Sequence, residues 1–284
     1  MSNTHFTPEQ RETTVSVQDH LRLAVRQWSS ARPLGSVVIS HGFGEHNGRY
    51  TVLAEKLVAA GLAVTRYDMR GHGKSGGKRG HVPSYDAYLD DLAEVISYAR
   101  QQWPQLPMFL FGHSMGGGLV LNYALRRQDQ LHGVITTGPW LRLAFQPPAW
   151  KMRLAKIIVG VLPAMSMPTN FDIHRLSGDP ANGKAIENDP LTTKVMSAAS
   201  YIGCIAAGEY AMANAKHFRP PLLLMHGGDD AIIDIKASEA FFSAVESTDK
   251  TFKAWPGMYH EILNEIDAEP VYQTIIDWLK KHLA

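Results

Sequence analysis

The chain has 284 residues, of which 45% are hydrophobic and 19% are charged, a composition that excludes a disordered protein. Its formal net charge of +1 excludes a globally basic protein that coats nucleic acid, so we predict no nucleic-acid partner. The single cysteine, Cys204, excludes an internal disulfide and a metal cluster built on cysteines.

The polar N-terminal segment, residues 1–14, lacks the apolar core of a signal peptide, which predicts a cytoplasmic protein. Residues 21–28 alternate apolar and polar side chains, as a half-buried strand does. The β-branched run Ser36–Ser40 is typical of a fully buried strand. Further elements are predicted in chain order: a helix at 50–60, a strand at 62–67, a helix at 85–103, a strand at 108–111, a helix at 117–127 and a strand at 131–137.

The alternation stops after Pro139 and resumes at Leu222. Residues 140–220 predict helices and loops without a convincing strand, whereas a strand at 222–226, a helix at 237–245, a strand at 251–255 and a helix at 270–282 follow. Alternating strands and helices predict an α/β fold, a mostly parallel sheet with helices on both faces. We therefore predict a core formed by residues 1–139 and 221–284, with residues 140–220 inserted as a helical cap.

A candidate nucleophile lies at Ser114, within the sequence GHSMG at residues 112–116. This G-x-S-x-G pattern follows a predicted strand and opens a predicted helix, which is the setting the motif requires. The turn is so sharp that Ser114 should have a strained backbone, and side chains larger than glycine at 112 and 116 should clash. The alternative is a glycine-rich turn that merely contains a serine.

A serine hydroxyl becomes an effective nucleophile only when a base accepts its proton. Behind a G-x-S-x-G motif of this kind, an acid and then a histidine should follow the serine along the chain. Of the six histidines after Ser114, His260 alone follows a predicted strand at the edge of the sheet where Ser114 lies. The acid should follow the preceding strand, where either Asp229 or Asp230 could orient His260. An oxyanion would be bound by the backbone N–H of Met115 and by that of Phe43 in the glycine-rich loop after Ser36–Ser40.

These motifs together resemble the monoacylglycerol lipase and lysophospholipase branch of the α/β-hydrolases. The resemblance is carried by segments over most of the chain: HGFGEH with GRY at 41–50, DMRGHGKS at 68–75, GHSMGG at 112–117, NDPL at 188–191, HGGDD at 226–230 and YH at 259–260. It implies the α/β-hydrolase fold with a cap at the insertion. It also implies Asp230 as the acid, and Glu45 and Arg49 as residues that bind the glycerol head group, their alternative being a surface ion pair. Some members carry a reactive cysteine beside the acid, where this chain has Ile232 and Ile233.

Residues 148–167 combine many apolar side chains with Lys151, Arg153 and Lys156, and no acidic residue occurs between Trp140 and Asn170. A basic amphipathic helix of this kind can lie on an anionic membrane surface. The hypothesis is that this helix borders an acyl channel and contacts lipid aggregates, giving peripheral membrane association. The alternative is that its apolar face packs on the domain below.

The function predicted from these residues is a serine ester hydrolase that converts monoacylglycerol to fatty acid and glycerol through an acyl-enzyme on Ser114, His260 and Asp230 completing the triad. No metal and no organic cofactor is predicted. Rivals on the same triad are a lysophospholipase, a general carboxylesterase and a peptidase. A catalytically silent binding module on this fold would lack a member of the triad. The branch of the fold that uses an aspartate nucleophile would have an aspartate in place of Ser114.

Overall fold

A computed structural model describes residues 10–127, 130–145, 148–169 and 172–283 of the chain. The first nine residues of the polar N-terminal segment therefore lie outside the described residues. Ten strands are assigned within these ranges: β1 (Gln10–Ser16), β2 (Arg22–Ser29), β3 (Ser36–Ser40), β4 (Ala63–Tyr67), β5 (Met108–His113), β6 (Gly133–Thr137), β7 (Ser166–Pro168), β8 (Val195–Ser197), β9 (Leu222–Gly227) and β10 (Lys250–Trp255).

Eight α-helices accompany these strands in the described ranges: α1 (Thr51–Ala59), α2 (Tyr85–Gln102), α3 (Met115–Arg127), α4 (Ala149–Val161), α5 (Pro180–Asn188), α6 (Ala198–Asn214), α7 (Ile235–Ala244) and α8 (Glu269–Lys281). Eight of the strands form one sheet in the order β1-β2-β4-β3-β5-β6-β9-β10. The pairs β1–β2 and β2–β4 are antiparallel, and every other pair in this sheet is parallel. The predicted mostly parallel sheet with helices on both faces is confirmed.

The sheet separates two hydrophobic layers, because successive side chains of a strand point to opposite faces. In β5, Leu110 belongs to the layer under α2, α3 and α7, whereas Phe109 and Phe111 belong to the layer under α1 and α8. Both faces of the central strands are covered, so β3, β5, β6 and β9 are buried along their whole length. Their sequences are therefore nearly continuous apolar runs, as the prediction required.

Strand β1 was missed by the sequence analysis. Its sequence, QRETTVS, pairs with β2 at the edge of the sheet and leaves most of its side chains exposed. Such a strand is held by backbone hydrogen bonds to its neighbour and shows little apolar alternation. The hydrophobic pattern that revealed the other strands is therefore absent here.

The inserted segment, residues 140–220, contains α4, α5 and α6 between β6 and β9. The expectation that it holds no strand was wrong, since β7 and β8 pair antiparallel over three residues each. Strands this short give no readable periodicity. Among the described residues, none of the helices combines the length and hydrophobicity needed to cross a bilayer. The division into core and cap remains a prediction, and the name cap is kept below for residues 140–220.

Candidate active site

Ser114 occupies the turn between the end of β5 and the start of α3. Its φ of 52° lies in the left-handed region, which non-glycine residues rarely adopt. The surrounding backbone fixes this conformation: the N–H of Ser114 donates to the carbonyl of Thr137 at 2.9 Å, and its carbonyl accepts from Gly118 and Trp140. A strained serine held between a strand and a helix is the expected geometry of a nucleophile at this turn.

The two glycines of the motif allow this turn because other backbone lies against them. A β-carbon on Gly112 would lie 2.2 Å from the carbonyl oxygen of Gly116. One on Gly116 would lie 2.2 Å from the carbonyl oxygen of Ser40, at the end of β3. Neither contact can be relieved by turning a side chain, so both positions require glycine, as the sequence predicted.

His260 and Asp230 meet in the loops that follow β10 and β9. The Nδ1 atom of His260 lies 2.7 Å from Oδ2 of Asp230, and both side chains are buried. The other oxygen of Asp230 accepts the backbone N–H groups of Ile232 and Ile233 at 2.8 and 2.9 Å. Asp229, the alternative left open by the sequence, is exposed. The contact with His260 is thus made by Asp230, the aspartate that the family resemblance implies.

Opposing effects set the protonation of this pair. Burial works to raise the pKa of Asp230, but the charges and hydrogen bonds of His260 and His226 outweigh it and hold that pKa well below its usual range. Burial also works to lower the pKa of His260, and the Asp230 carboxylate outweighs it, so the pKa of His260 is raised. An ionised carboxylate only accepts hydrogen bonds, so Nδ1 of His260 carries the proton and Nε2 is left as the basic nitrogen.

His226 was not predicted as part of the site. Its Nε2 lies 3.0 Å from Oδ2 of Asp230, and its Nδ1 lies 2.9 Å from the hydroxyl of Ser238. The side chains of His226 and Asp230 are both fully buried. The spacing of four residues within HGGDD was the only local signal of this contact, and that spacing is common between unrelated residues.

Ser114 and His260 line the same cavity, which has a volume of about 380 Å³. Its wall is largely apolar, with these residues: Phe43, Trp140, Leu143, Ile173, Leu176, Ile186, Ile232 and Ile233. The described lining residues include none from 148–167, so the expectation that this segment borders the acyl channel is wrong for this cavity. A cavity of this size and character is suited to a small, mostly apolar ligand.

The two candidate oxyanion donors belong to elements that converge on this cavity. Phe43 lies in the loop after β3 and lines the cavity, and Met115 is the first residue of α3, where backbone N–H groups have no partner within the helix. His41, at the start of the same loop, accepts the backbone N–H of Met69 through Nε2 at 2.9 Å. This bond ties the loop that carries Phe43 to the end of β4.

Glu45 and Arg49 also line the cavity, so the alternative of a surface ion pair does not hold. Their side chains are 7% and 14% exposed, and Arg49 lies 3.5 Å from Glu45. The main partner of Arg49 is Glu261, which it binds through two hydrogen bonds of 3.0 and 2.6 Å. Oε1 of Glu45 accepts the backbone N–H of Gly42 and the hydroxyl of Tyr50.

Glu261 was not predicted as part of the site, although it directly follows His260 and also lines the cavity. Cys204 is buried in α6, and burial raises the pKa of its thiol to about 12. In the part of the chain that the structure describes, no group of three or more His, Cys, Asp or Glu side chains is placed to hold a metal ion.

The chain is similar in sequence to proteins named as hydrolases. Residues 31–267 match the family described as serine aminopeptidase, S33. The chain is 32% identical over 265 residues to the monoacylglycerol lipase of Mycolicibacterium smegmatis, covering 93% of this chain and 94% of that protein. It is also 32% identical over 248 residues to phospholipase YtpA of Bacillus subtilis, covering 87% of this chain and 95% of the relative.

A solved structure supports the same relationship. The chain superposes on the crystal structure of the Paleococcus ferrophilus monoacylglycerol lipase with a TM-score of 0.84 and 33% sequence identity. The match covers 92% of this chain and 99% of that one. A match over this share of the chain includes most of residues 140–220 as well as the sheet.

Proposed function

The chain belongs to the serine aminopeptidase S33 family of α/β-hydrolases, and from this premise we propose that it hydrolyses monoacylglycerols to a free fatty acid and glycerol. It is a serine ester hydrolase. The observation that carries the choice of substrate is the cavity at Ser114, whose wall is largely apolar but which also contains the polar group Glu45, Arg49 and Glu261. A lipid ester with a small uncharged head group matches both parts.

In the proposed mechanism, Oγ of Ser114 attacks the ester carbonyl carbon while Nε2 of His260 accepts its proton. Asp230 keeps His260 in the tautomer that makes Nε2 the acceptor and stabilises the imidazolium that forms. The backbone N–H groups of Phe43 and Met115 bind the oxyanion. His260 then protonates the departing alcohol. In the second half of the reaction, His260 accepts a proton from water as the water attacks the acyl-enzyme, and returns it to Oγ of Ser114 as the fatty acid leaves.

The ionisable groups in the cavity support a neutral substrate head group. The carboxylates Glu45 and Glu261 flank the single guanidinium of Arg49, so this part of the cavity carries an excess of negative charge. Glycerol hydroxyls can donate to carboxylates and accept from a guanidinium. A phosphate-bearing head group would place like charges together here. A lysophospholipase remains the second candidate, because phospholipase YtpA is a relative of this chain.

A substrate panel tests this proposal. We expect kcat/KM for monoacylglycerols to exceed that for the matching lysophosphatidylcholine and lysophosphatidate by at least about tenfold, a difference of ~1.4 kcal/mol. The Ser114→Ala variant should lose both turnover and labelling by a fluorophosphonate probe while keeping its circular dichroism spectrum. Equal rates on glycerol and phosphoglycerol esters would favour the second candidate, and labelling of Ser114→Ala would refute the nucleophile.

We further propose that α4 brings the enzyme to its substrate by contacting a lipid surface. Four apolar residues recur at helical spacing on one face of α4, and all four are at least 48% exposed: Trp150, Leu154, Ile157 and Val161. Leu162, Met165 and Met167 extend this exposed apolar surface beyond the helix. Arg153 and Lys156 are also exposed. An apolar stripe beside basic side chains is the pattern of a helix at an anionic membrane surface.

A further inference from the structure

The loop that carries His260 is hydrogen-bonded to one short stretch of the cap, residues 176–182. Several bonds join this stretch to residues 261–265. The N–H of Glu261 donates to the carbonyl of Leu176 at 2.7 Å, the hydroxyl of Ser177 to the carbonyl of Asn264 at 2.7 Å, and the N–H of Gly178 to Oε2 of Glu265 at 2.8 Å. The loop is therefore held by the cap as well as by β10.

The carboxylate of Glu261 is the most heavily bonded group in this contact. It accepts two hydrogen bonds from Arg49, one from Nδ2 of Asn264 at 2.9 Å and one from Nδ2 of Asn182 at 2.9 Å. The carbonyl oxygen of the Asn182 side chain in turn accepts from Nη2 of Arg49 at 2.7 Å. Asn182 lies in α5, so a cap residue closes a ring of hydrogen bonds with Arg49 and Glu261.

This ring fixes the backbone beside the proposed base. Glu261 directly follows His260, and its N–H and its carboxylate are both anchored to the cap. With both groups held, the peptide between His260 and Glu261 has little freedom to rotate. Displacing a catalytic imidazole by about 1 Å from its reacting partner lowers the rate by on the order of 10²-fold.

We propose that Glu261 is a positioning residue for His260, and that Asn182 of the cap completes the set of hydrogen bonds that holds Glu261 in place. This inference rests on the proposed role of His260 as the base. It makes the cap part of the catalytic geometry, in addition to its part in the wall of the cavity.

Electrostatics give a second consequence of the same arrangement. Several ionisable groups surround the His260 ring: Asp230, Glu45, Glu261 and His113. Arg49 lies one step further away, bound to Glu261. Burial works to raise the pKa of Glu261, but Arg49 outweighs it and lowers that pKa to about 2. Burial and the charge of His260 lower the pKa of His113 to about 4, so it is neutral near pH 7. The ionised Glu261 adds to the effect of Asp230 in raising the pKa of His260.

The decisive experiment compares Asn182→Ala with Asn188→Ala on p-nitrophenyl acetate, a short soluble ester. Both asparagines lie in α5, but Asn188 is exposed, and its side chain donates to the carbonyl of Lys184 in its own helix. We expect kcat to fall about tenfold in Asn182→Ala with KM within about twofold, and to stay unchanged in Asn188→Ala. A wild-type kcat in Asn182→Ala, with a raised KM only for long-chain monoacylglycerols, would restrict the cap to acyl binding and overturn the proposal.

A second variant, Glu261→Gln, keeps the shape of the side chain and removes its charge. Only neutral His260 can accept the proton of Ser114, so activity is lost as pH falls through the pKa of His260. Removing a nearby negative charge lowers this pKa, so the acid limb of kcat/KM should shift to lower pH while kcat falls. An acid limb that does not move contradicts the proposal whatever the value of kcat.

These experiments distinguish failure of the proposed function from failure of the positioning role. If the wild-type chain hydrolyses neither p-nitrophenyl acetate nor a long-chain monoacylglycerol, the proposed function is overturned, and the positioning role with it. If the wild type hydrolyses both and Asn182→Ala matches it on the short ester, only the positioning role is overturned. A thermal melt of each variant, followed by circular dichroism, shows that the compared chains are folded at the assay temperature.

Discussion

At the scale of single residues, the contacts of Asp230 keep its carboxylate ionised and oriented toward His260. Two backbone N–H groups, from Ile232 and Ile233, hold one of its oxygens, and two histidines contact the other. Its pKa is therefore held well below the usual range, and the group stays ionised throughout the range in which His260 titrates. A carboxylate that stays charged can fix the tautomer of His260 and stabilise its protonated form.

Substitution of the two adjacent aspartates tests this assignment. Asp230→Asn should lower kcat by about 10⁴-fold, because an amide no longer enforces the required tautomer of the histidine. Asp229→Asn should change kcat by less than about twofold, since the side chain of Asp229 is exposed and it is Asp230 that contacts His260. Steady-state kinetics on a monoacylglycerol decide between them, and a larger loss at Asp229 would contradict the geometry.

At the scale of elements, α4 differs from the other helices of the cap. Helix α6 buries Cys204, Ala207 and Ala211 against the core, whereas α4 leaves its apolar stripe exposed. Exposed apolar stripes are unusual on a protein that meets only water. The alternative that this face packs on the domain below therefore fails for the stripe, although Ala155 of the same helix is buried.

Flotation with vesicles that contain anionic phospholipid tests the lipid contact of α4. Replacing Lys151, Arg153 and Lys156 by Glu should weaken binding by roughly 100-fold or more, because each basic residue contributes about 1 kcal/mol near an anionic surface. Ile157→Ser should also weaken binding, since it removes an apolar side chain from the stripe. Leu34→Ser is the matched control, because Leu34 is 62% exposed and lies outside α4. Unchanged flotation of the triple variant would refute the proposal.

At the scale of the whole molecule, the parallel sheet gathers the site. The loop with Phe43 follows β3, Ser114 follows β5, Asp230 follows β9 and His260 follows β10. In the sheet these strands lie in the order β3-β5-β6-β9-β10, and parallel strands place their carboxyl ends at one edge. Residues separated by more than 200 positions in the sequence, such as Phe43 and His260, are therefore brought to the same cavity by the order of the strands.

The integrity of this sheet depends on both of its hydrophobic layers. Phe109 in β5 is fully buried, and its ring packs edge-on against Trp278 of α8 with centroids 6.1 Å apart. Phe109→Ala should lower the free energy of unfolding by about 3–5 kcal/mol, through lost burial and the cavity it leaves. Val52→Ala, at a position 48% exposed on α1, should change it by less than about 0.5 kcal/mol. Urea denaturation measures both, and equal midpoints would show that the layer is not well packed.

Much of the fold could be predicted because its signals are local. Strands β3, β5 and β9 are short apolar runs between turn residues, and α2 repeats its apolar residues with helical spacing. Strand β1 was missed because most of its side chains are exposed, so it shows no apolar alternation even though its partner β2 is the next strand in the chain. The pair β7–β8 was missed because each strand has only three residues and its partner lies about 30 residues away. Periodicity reports which face of an element is buried, and it cannot be read from a strand that is mostly exposed or only three residues long.

The sequence by itself determined the order of most strands and helices outside residues 140–220, the strained turn at Ser114 and the identity of His260 as the candidate base. Apolar spacing and glycine turns are properties of neighbouring residues, so they can be read without the fold. The family resemblance already implied Asp230 as the acid, but only the tertiary structure decided that Asp230 is buried against His260 while Asp229 is exposed. The tertiary structure likewise decided that Glu261 and Asn182 are bonded to each other across the edge of the cap. It also decided that the apolar stripe of α4 is exposed. Burial and hydrogen bonds between distant segments depend on how the whole chain packs, and no local pattern of residues encodes them.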